Sequence, residues 1–155
     1  MKKILIILGV FLIIILAIFF LKNQSLFPFK KNPTAMINGH TFNLLIASSR
    51  KEKEIGLSEK KSLPENQGMI FPFGKLDYYS FWMKDMKISI DIIYIDNDTI
   101  VTILSNIKPP ANPTDNLTIY NSTSPADKVL EINSGLSEKY NFKKGDKIKY
   151  ENLSN

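Results

Sequence analysis

The sequence lacks the residue types on which several kinds of functional site depend. It contains no cysteine and one histidine, His40, which excludes a disulfide framework, a cysteine-linked lipid anchor and a cysteine–histidine zinc site. His40 follows an Asn-Gly turn and is expected to be exposed, so a Ser-His-Asp triad is not favoured. Neither a glycine-rich phosphate-binding loop nor a nucleophile elbow is present.

Arginine is also scarce. The formal net charge is +5, but Arg50 is the only arginine among 20 basic residues. Arginine provides the bidentate contacts that read bases and hold phosphates, so we expect no specific binding to nucleic acid. The lysines are interleaved with glutamates, as in residues 51–54, which is typical of solvated faces and leaves open a weak attraction to anionic lipids or wall polymers.

The carboxylates are not spaced as metal ligands. Asp96 and Asp98 flank Asn97 at a predicted hairpin tip, where such residues are common because of turn geometry alone. An EF-hand loop also requires a glycine and a terminal glutamate, which the residues from Thr99 onward do not supply. We therefore expect no metal site and no cofactor.

The most apolar part of the chain is its N-terminus. Residues 4–21 carry no charge and consist almost wholly of Ile, Leu, Val and Phe. As a helix they would extend roughly 27 Å, close to the thickness of the hydrocarbon core of a bilayer. Residues 1–21 are therefore predicted to be a membrane anchor. A cleavable signal peptide and a buried core helix are the alternatives, but no small-residue cleavage motif follows the run.

The flanking lysines bear on the orientation of this anchor in the cell membrane. Lys2 and Lys3 precede the apolar run and favour a cytoplasmic N-terminus, although lysines at positions 22, 30 and 31 follow it. Long domains are translocated largely regardless of their charge, so we expect the rest of the chain outside the cytoplasm. Residues 22–34 are polar, contain prolines and show no apolar period, which predicts a tether.

Residues 35–151 are predicted to form a single α+β domain that is rich in β-strands. An Asn-Gly pair at 38–39 is a strong hairpin signal, and Ser49 with a glutamate three residues on makes a capping box for a short helix. Ser134 is predicted to cap a second helix that ends near Tyr140. These elements favour a curled, partly barrel-like antiparallel sheet with two short helices. The predicted strands are residues 35–37, 41–47, 69–71, 78–83, 88–95, 99–105, 129–132 and 147–150.

The most distinctive segment combines the only tryptophan, Trp82, with Lys84 and an apolar run around Asp91. Together with other segments it resembles the domain-of-unknown-function 192 (DUF192) family of bacterial and archaeal proteins, over about Lys53 to Lys149. The order and spacing of the matching segments are more specific to the family than any one segment alone. The matching segments are Glu54-Ile55-Gly56-Leu57, Leu63-Pro64, Gly68-Met69-Ile70-Phe71, Phe81-Trp82-Met83-Lys84, Ile90 to Asp96, Val129-Leu130-Glu131-Ile132 with Gly135, and Gly145-Asp146.

The chain departs from the pattern of this family at a few positions. The family often has methionine in place of Ser58, asparagine-threonine in place of Asp85-Met86, and proline in place of Ser89. It also often has a cysteine shortly before the position of Tyr120, and this chain has none. Because the family is uncharacterised, the resemblance implies a fold and a site region but no reaction.

Asp91 is the first candidate site residue. It lies in the middle of a predicted strand whose other side chains are apolar, and a buried carboxylate is costly unless it is paired. Lys84 is the nearest suitable partner, which predicts a structural ion pair between Lys84 and Asp91. A ligand-binding or acid–base role for Asp91 is the alternative, since perturbed carboxylates cluster at functional sites.

A groove beside Trp82 is the second candidate. Aromatic side chains alternate along this strand, so one set fills the core and the other is available to floor a groove for a sugar or a peptide. We expect the groove to lie between this strand, the proline-rich loop from Lys108 to Tyr120, and Glu131, because binding residues often lie on long loops. The predicted binding residues are Trp82, Lys84, Asp91, Tyr120 and Glu131.

Three functions are compatible with the sequence. The leading hypothesis is a membrane-anchored extracytoplasmic binding or accessory domain, with an envelope carbohydrate or a protein as its partner. An enzyme acting on an envelope carbohydrate is the alternative, with Asp91 and Glu131 as a carboxylate pair about 5 to 9.5 Å apart. A structural or assembly role is the third, and a large exposed apolar patch without a pocket would favour it.

Overall fold

The computed structural model describes residues 2–23, 31–112 and 117–153, and the chain divides into two units. The first unit comprises Met1–Lys31 and the second Asn32–Asn155. Most of the predicted tether and the centre of the proline-rich loop lie outside the described residues.

In the described part of the first unit, residues 2–23 form a helix, α1 (Lys2–Asn23). Its large apolar side chains are exposed, as at Ile7 and Phe20. The helix is long and apolar enough to cross a membrane. That finding rests on length and composition, and a signal sequence near an N-terminus shares both properties.

The second unit contains strands and two short helices, and the described part of it begins with a β-hairpin. In chain order the elements are β1 (Thr34–Ile37), β2 (His40–Ile46), α2 (Arg50–Ile55), β3 (Gln67–Asp77), β4 (Ser80–Trp82), β5 (Ile90–Asp96), β6 (Thr99–Ile107), β7 (Ile119–Asn121), β8 (Ala126–Asn133), α3 (Leu136–Lys139) and β9 (Ile148–Glu151).

Seven of these strands form one curled sheet, in the order β6-β5-β8-β3-β2-β1-β9. Neighbouring strands are antiparallel except β2 and β3, which run parallel and are joined through α2. The two edge strands meet at one corner, where Thr99 and Lys147 form a bridge and the Gly145 N–H donates to the Ile100 carbonyl (2.8 Å). The sheet is therefore a half barrel, which confirms the predicted fold class, and it includes one parallel pair that was not predicted.

Two local signals in the sequence form the structures that they predict. Asn38 and Gly39 have φ angles of 48° and 85° at the tip of the β1–β2 hairpin. At the start of α2, the Ser49 hydroxyl accepts the Glu52 N–H, and the Glu52 carboxylate accepts the Ser49 N–H at 2.7 Å. The predicted hairpin and the predicted capping box are both confirmed.

The two faces of the sheet form separate hydrophobic clusters. The first, which we call the barrel core, lies inside the curl and consists of Ala35, Ile37, Phe42, Leu44, Ile70, Ile93, Ile95, Ile100, Leu130, Ile132, Leu136, Phe142 and Ile148. The second, the outer core, consists of Ala47, Leu57, Leu63, Phe71, Met83, Ile90, Ile92, Tyr94, Ala126 and Val129. Strand β5 contributes to both, because successive side chains of a strand point to opposite faces.

Four elements, β3, β4, β7 and α3, differ from the prediction. Strand β4 pairs with β7 in a separate two-stranded sheet, and β7 occupies residues that were predicted to be irregular. Strand β3 extends over residues 67–77, well beyond the predicted 69–71. The N-cap of α3 is Gly135, at a φ of 81°, and not Ser134, because the Ser134 hydroxyl instead donates to the Asn106 side-chain oxygen at 2.9 Å.

Candidate functional site

A pocket of about 350 Å³ opens on the side of the sheet that carries the outer core. Helix α2 and the turn at Gly56 form one side, aromatic residues of β3 and β4 form the walls, and Glu131 of β8 lies at its base. We call it the aromatic pocket. Three of the predicted binding residues, Trp82, Lys84 and Glu131, line it.

The walls of the aromatic pocket are built from rings that hold one another in place. The Phe81 ring meets the Phe71 ring edge-on, with centroids 5.1 Å apart, and it also meets the buried Tyr94 ring edge-on. Phe73 and Tyr79 stack in parallel with centroids 3.6 Å apart. Such contacts stabilise the fold beyond the area that they bury, so the walls are preformed.

Two glycines allow this arrangement around Glu131. A Cβ on Gly68 would lie 2.9 Å from the backbone oxygen of Glu131, so only glycine lets β3 approach β8 this closely. Gly56 has a φ of 51°, and a Cβ there would lie 3.9 Å from the Glu131 Oε2 atom. Neither glycine was predicted to shape a site, although both belong to the segments that resemble the family.

Glu131 is buried without the hydrogen bonds that a buried carboxyl group normally has. Glu131 is 5% exposed, and among the described residues its Oε2 atom has no hydrogen-bond partner. Burial raises the pKa of Glu131 to about 8, because the apolar surroundings disfavour the charged form. An orphaned polar atom at the base of a pocket is unusual in a folded protein, in which buried polar groups are nearly always satisfied.

The mouth of the aromatic pocket is positively charged. Arg50 and Glu54, both on α2, form an exposed ion pair at 2.9 Å. The Lys53 ammonium lies 4.6 Å from the centroid of the Phe73 ring, and Lys84 is exposed on the β4 side. Within the described part of the chain neither lysine forms an ion pair, so both are available to an anionic group.

Asp91 has a different environment from the one predicted. Its side chain is fully buried and accepts three backbone N–H groups: Asn106 (2.8 Å) and Gly135 (2.9 Å) donate to Oδ1, and Ser137 (2.8 Å) donates to Oδ2. The carboxylate thereby caps α3, whose own N-cap has no side chain. The predicted ion pair with Lys84 is wrong, because these N–H groups take the place of a counter-ion.

Asp91 and Glu131 also lie on opposite faces of the sheet. In the β5–β8 ladder Asp91 pairs with Ile132 of the barrel core, whereas Glu131 pairs with Ile92 of the outer core. Directly paired residues point to the same face, so the two carboxyl groups are separated by the sheet itself. They cannot flank one substrate, and the proposed carboxylate pair for glycoside chemistry is wrong.

The predicted groove is divided into two cavities. Trp82, Lys84 and Glu131 line the aromatic pocket, whereas Tyr120 lines a second cavity of about 250 Å³ together with Met83 and the proline-rich loop. The structure thus brings three of the five predicted binding residues together and places Asp91 and Tyr120 elsewhere. Their roles in binding stay predictions.

The aromatic residues Phe71, Phe73 and Phe81 were not predicted as part of a site. Their alternate spacing on two strands was a usable signal, because side chains two residues apart share a face. Among the described residues, no group of three or more His, Cys, Asp and Glu side chains is arranged to hold a metal ion. Asp98, at the hairpin tip, is instead paired with Lys147 at 2.8 Å.

Two solved structures resemble this chain. A protein of unknown function from Novosphingobium aromaticivorans is 32% identical, with a TM-score of 0.67, and the match covers 76% of this chain and 82% of that one. A putative transcription regulator from Sinorhizobium meliloti is 26% identical, with a TM-score of 0.68, and the match covers 78% of this chain and 93% of that one. The comparison with curated proteins gave no significant match.

A family model matches almost the whole of the second unit. The model of DUF192, a family described as uncharacterized ACR, matches residues 33–150. This range includes every strand of the half barrel except Glu151, the last residue of β9, as well as all residues of the aromatic pocket. The chain therefore belongs to the DUF192 family.

Proposed function

We propose that the protein is a membrane-tethered binding domain that holds a small ligand in the aromatic pocket, outside the cytoplasm. The observation that carries this proposal is the Oε2 atom of Glu131, which has no hydrogen-bond partner among the residues that the structure describes and lies at the base of a preformed pocket. A buried carboxyl group without a partner destabilises a fold, and an apolar residue of similar size would relieve that cost. A ligand that donates a hydrogen bond to Glu131 would explain why a carboxyl group is present at this position.

The form of the pocket supports binding of a small molecule. It has the volume, the apolar walls and the few polar groups that are typical of ligand sites. Glu54, the other carboxylate at this pocket, is already paired with Arg50. One orphaned carboxyl group among aromatic rings suits recognition better than hydrolysis, which requires a second positioned acid or base.

The N-terminal helix supports the proposed location. α1 has the length and composition of a membrane span, and Lys2 and Lys3 precede its apolar part. Because the chain lacks cysteine, single cysteines introduced at Lys3 and at Glu59 report the side of the membrane without background. A membrane-impermeant maleimide should label the Glu59→Cys variant in intact spheroplasts, and the Lys3→Cys variant only after lysis. The reverse pattern contradicts the proposed orientation.

Ligand-induced stabilisation tests the binding proposal. The full-length chain in an uncharged maltoside detergent would be unfolded thermally with a panel of amines, amino acids, envelope sugars and nucleotides. A ligand at one hundred times its Kd should stabilise the folded state by about 2.7 kcal/mol. The Glu131→Gln variant should lose this shift, and Glu59→Gln, an exposed control outside the pocket, should keep it. A shift that is equal in both variants, or no shift at all, contradicts the proposal.

An assembly role is a second candidate, favoured by exposed apolar side chains. Trp82 and Ile119 pair across the β4–β7 ladder, and they are 46% and 48% exposed. Sedimentation of the full-length chain would show a concentration-dependent dimer that the Ile119→Lys variant abolishes. A monomer at all concentrations removes this candidate.

A further inference from the structure

We infer that the aromatic pocket selects a dipolar ligand, with an ammonium group that meets Glu131, an apolar body between the aromatic walls, and an anionic group at the lysine-lined mouth. This inference rests on the proposed function and adds the chemical class of the ligand. It follows from the change in polarity between the base of the pocket and its mouth.

The base of the pocket is suited to a cation. The Glu131 Oε2 atom lacks a donor within the described residues, and rings of Phe71 and Phe81 surround the space above it. Aromatic faces attract cations, and a carboxylate gains most from a charged donor. The protein itself contains such a contact between a cation and an aromatic ring, because the Lys53 ammonium lies over the Phe73 ring at the entrance.

The mouth of the pocket is suited to an anion. Lys53 and Lys84 line it, and no ion pair engages either of them in the part of the chain that the structure describes. A ligand with only a positive charge would meet these lysines as it enters. A carboxylate or phosphate at the far end of the ligand turns that repulsion into attraction.

Other ligand classes match one end of the pocket only. A simple anion matches the lysines at the mouth but offers no hydrogen-bond donor to Glu131. A sugar requires several hydrogen-bond partners, whereas the walls between Glu131 and the lysines consist largely of aromatic rings. A dipolar molecule with an apolar body is complementary to the whole depth of the pocket.

Binding of an ammonium group should also release a proton. In the free protein burial holds the pKa of Glu131 at about 8, so the carboxyl group is mostly protonated at pH 7. An ammonium partner favours the charged carboxylate and lowers that pKa. We therefore expect up to about one proton to be released for each ligand bound at pH 7.

Matched probes test the inference with the full-length chain in maltoside detergent. One set consists of ε-aminocaproate with caproate and hexylamine, and the other of phosphoethanolamine with ethanolamine and inorganic phosphate. Isothermal titration calorimetry gives the affinities, and phenol red in weakly buffered solution reports proton release. At least one dipolar probe should bind about tenfold or more tightly than its single-charge counterparts.

Three variants give the assay its controls. Glu131→Gln should weaken the dipolar probe about tenfold or more and abolish proton release. Lys84→Ala should weaken the dipolar probe but not hexylamine or ethanolamine. Glu59→Gln, which is exposed and outside the pocket, should change neither property. An unchanged unfolding transition of each variant shows that it is folded.

The possible results separate the inference from the proposed function. Binding that depends on Glu131 but is equal for dipolar and single-charge probes overturns the dipolar inference and leaves the binding function standing. Stronger binding of caproate or phosphate overturns the polarity that we assign. Failure of these probes, together with no thermal shift from the whole panel, contradicts the binding function itself.

Discussion

Asp91 and Glu131 are buried carboxyl groups on adjacent strands of one sheet, yet they meet opposite conditions. Asp91 faces the barrel core side and accepts three backbone N–H groups. Glu131 faces the outer core side, where its Oε2 atom has no partner among the described residues. The strand alternation that places them on opposite faces therefore also separates a structural role from a candidate binding role.

This difference shows that burial alone does not identify a functional carboxylate. Both groups are almost completely removed from water. Hydrogen bonds from the protein satisfy a buried carboxyl group, as at Asp91, whereas their absence leaves the group to be satisfied by a ligand. The number of donors that the protein supplies is thus the informative quantity, and it can be tested on each residue separately.

The Asp91→Ala variant should show the largest effect. Removal of the acceptor leaves three backbone N–H groups without this partner, of which that of Ser137 is buried, and should lower the free energy of unfolding by about 3–5 kcal/mol. Urea denaturation measures it. Asp96→Ala is the control on the same strand, because its carboxylate has one long contact, at 3.4 Å, and it should cost less than about 1 kcal/mol. An equal loss of stability in Asp91→Ala and Asp96→Ala would contradict the structural role that we assign to the hydrogen bonds of Asp91.

The stability of the protein should fall with rising pH because of Glu131. Its folded pKa, about 8, exceeds the ordinary value of 4.5, so the folded state binds more protons than the unfolded state between these values. The contribution is complete below pH 4.5 and is lost as the pH rises to 8, by up to about 4 kcal/mol. Denaturation at several pH values should show this slope in the wild type and a flatter profile in Glu131→Gln.

The Gly68→Ala variant should disturb the Glu131 side of the sheet. The added Cβ would lie 2.9 Å from the Glu131 carbonyl oxygen and 3.0 Å from the Leu130 side chain, so β8 must move. We expect a loss of about 1–3 kcal/mol, as for other overpacked sites. Amide chemical shifts should change around Glu131 more than around Ser137, which is bound to Asp91. Unchanged stability would show that the contact is not close in solution.

The Ser49→Ala variant should have the smallest effect. It removes the hydroxyl that accepts the Glu52 N–H at the start of α2, and loss of such a cap costs about 1 kcal/mol. Hydrogen bonds from Ser49 and Ser48 hold the pKa of Glu52 at about 2, so the capping box is lost as the pH falls towards that value. Hydrogen exchange should increase in α2 and not in α3. Loosening of both helices would contradict the separation of the two faces.

Local features of the fold were predictable from the sequence, and its long-range contacts were less so. The Asn38-Gly39 turn and the Ser49 capping box depend on residues a few positions apart. The donors to Asp91 come from Asn106, Gly135 and Ser137, which only the folded chain brings together. The predicted partner Lys84 was chosen by nearness in sequence, which is why the ion pair was wrong.

The candidate site was predictable in part for the same reason. Trp82 and Lys84 are close in sequence, and Glu131 was included as a third member of the same groove. The opposite facing of Asp91 and Glu131 depends on the register between β5 and β8, and a shift of one residue would reverse it. Spacing within either strand alone cannot fix that register.

Unfolding of the Glu131→Gln and Asp91→Asn variants at pH 8, side by side with the wild type, tests the difference between the two carboxyl groups. Gln replaces an orphaned acid with a neutral group, so the Glu131→Gln variant should be as stable as the wild type or up to about 2–4 kcal/mol more stable. Asn presents an NH₂ group to N–H donors, so Asp91→Asn should lose about 2–4 kcal/mol. Comparable destabilisation by both substitutions would contradict the assignment of Glu131 as a ligand-binding rather than a structural residue.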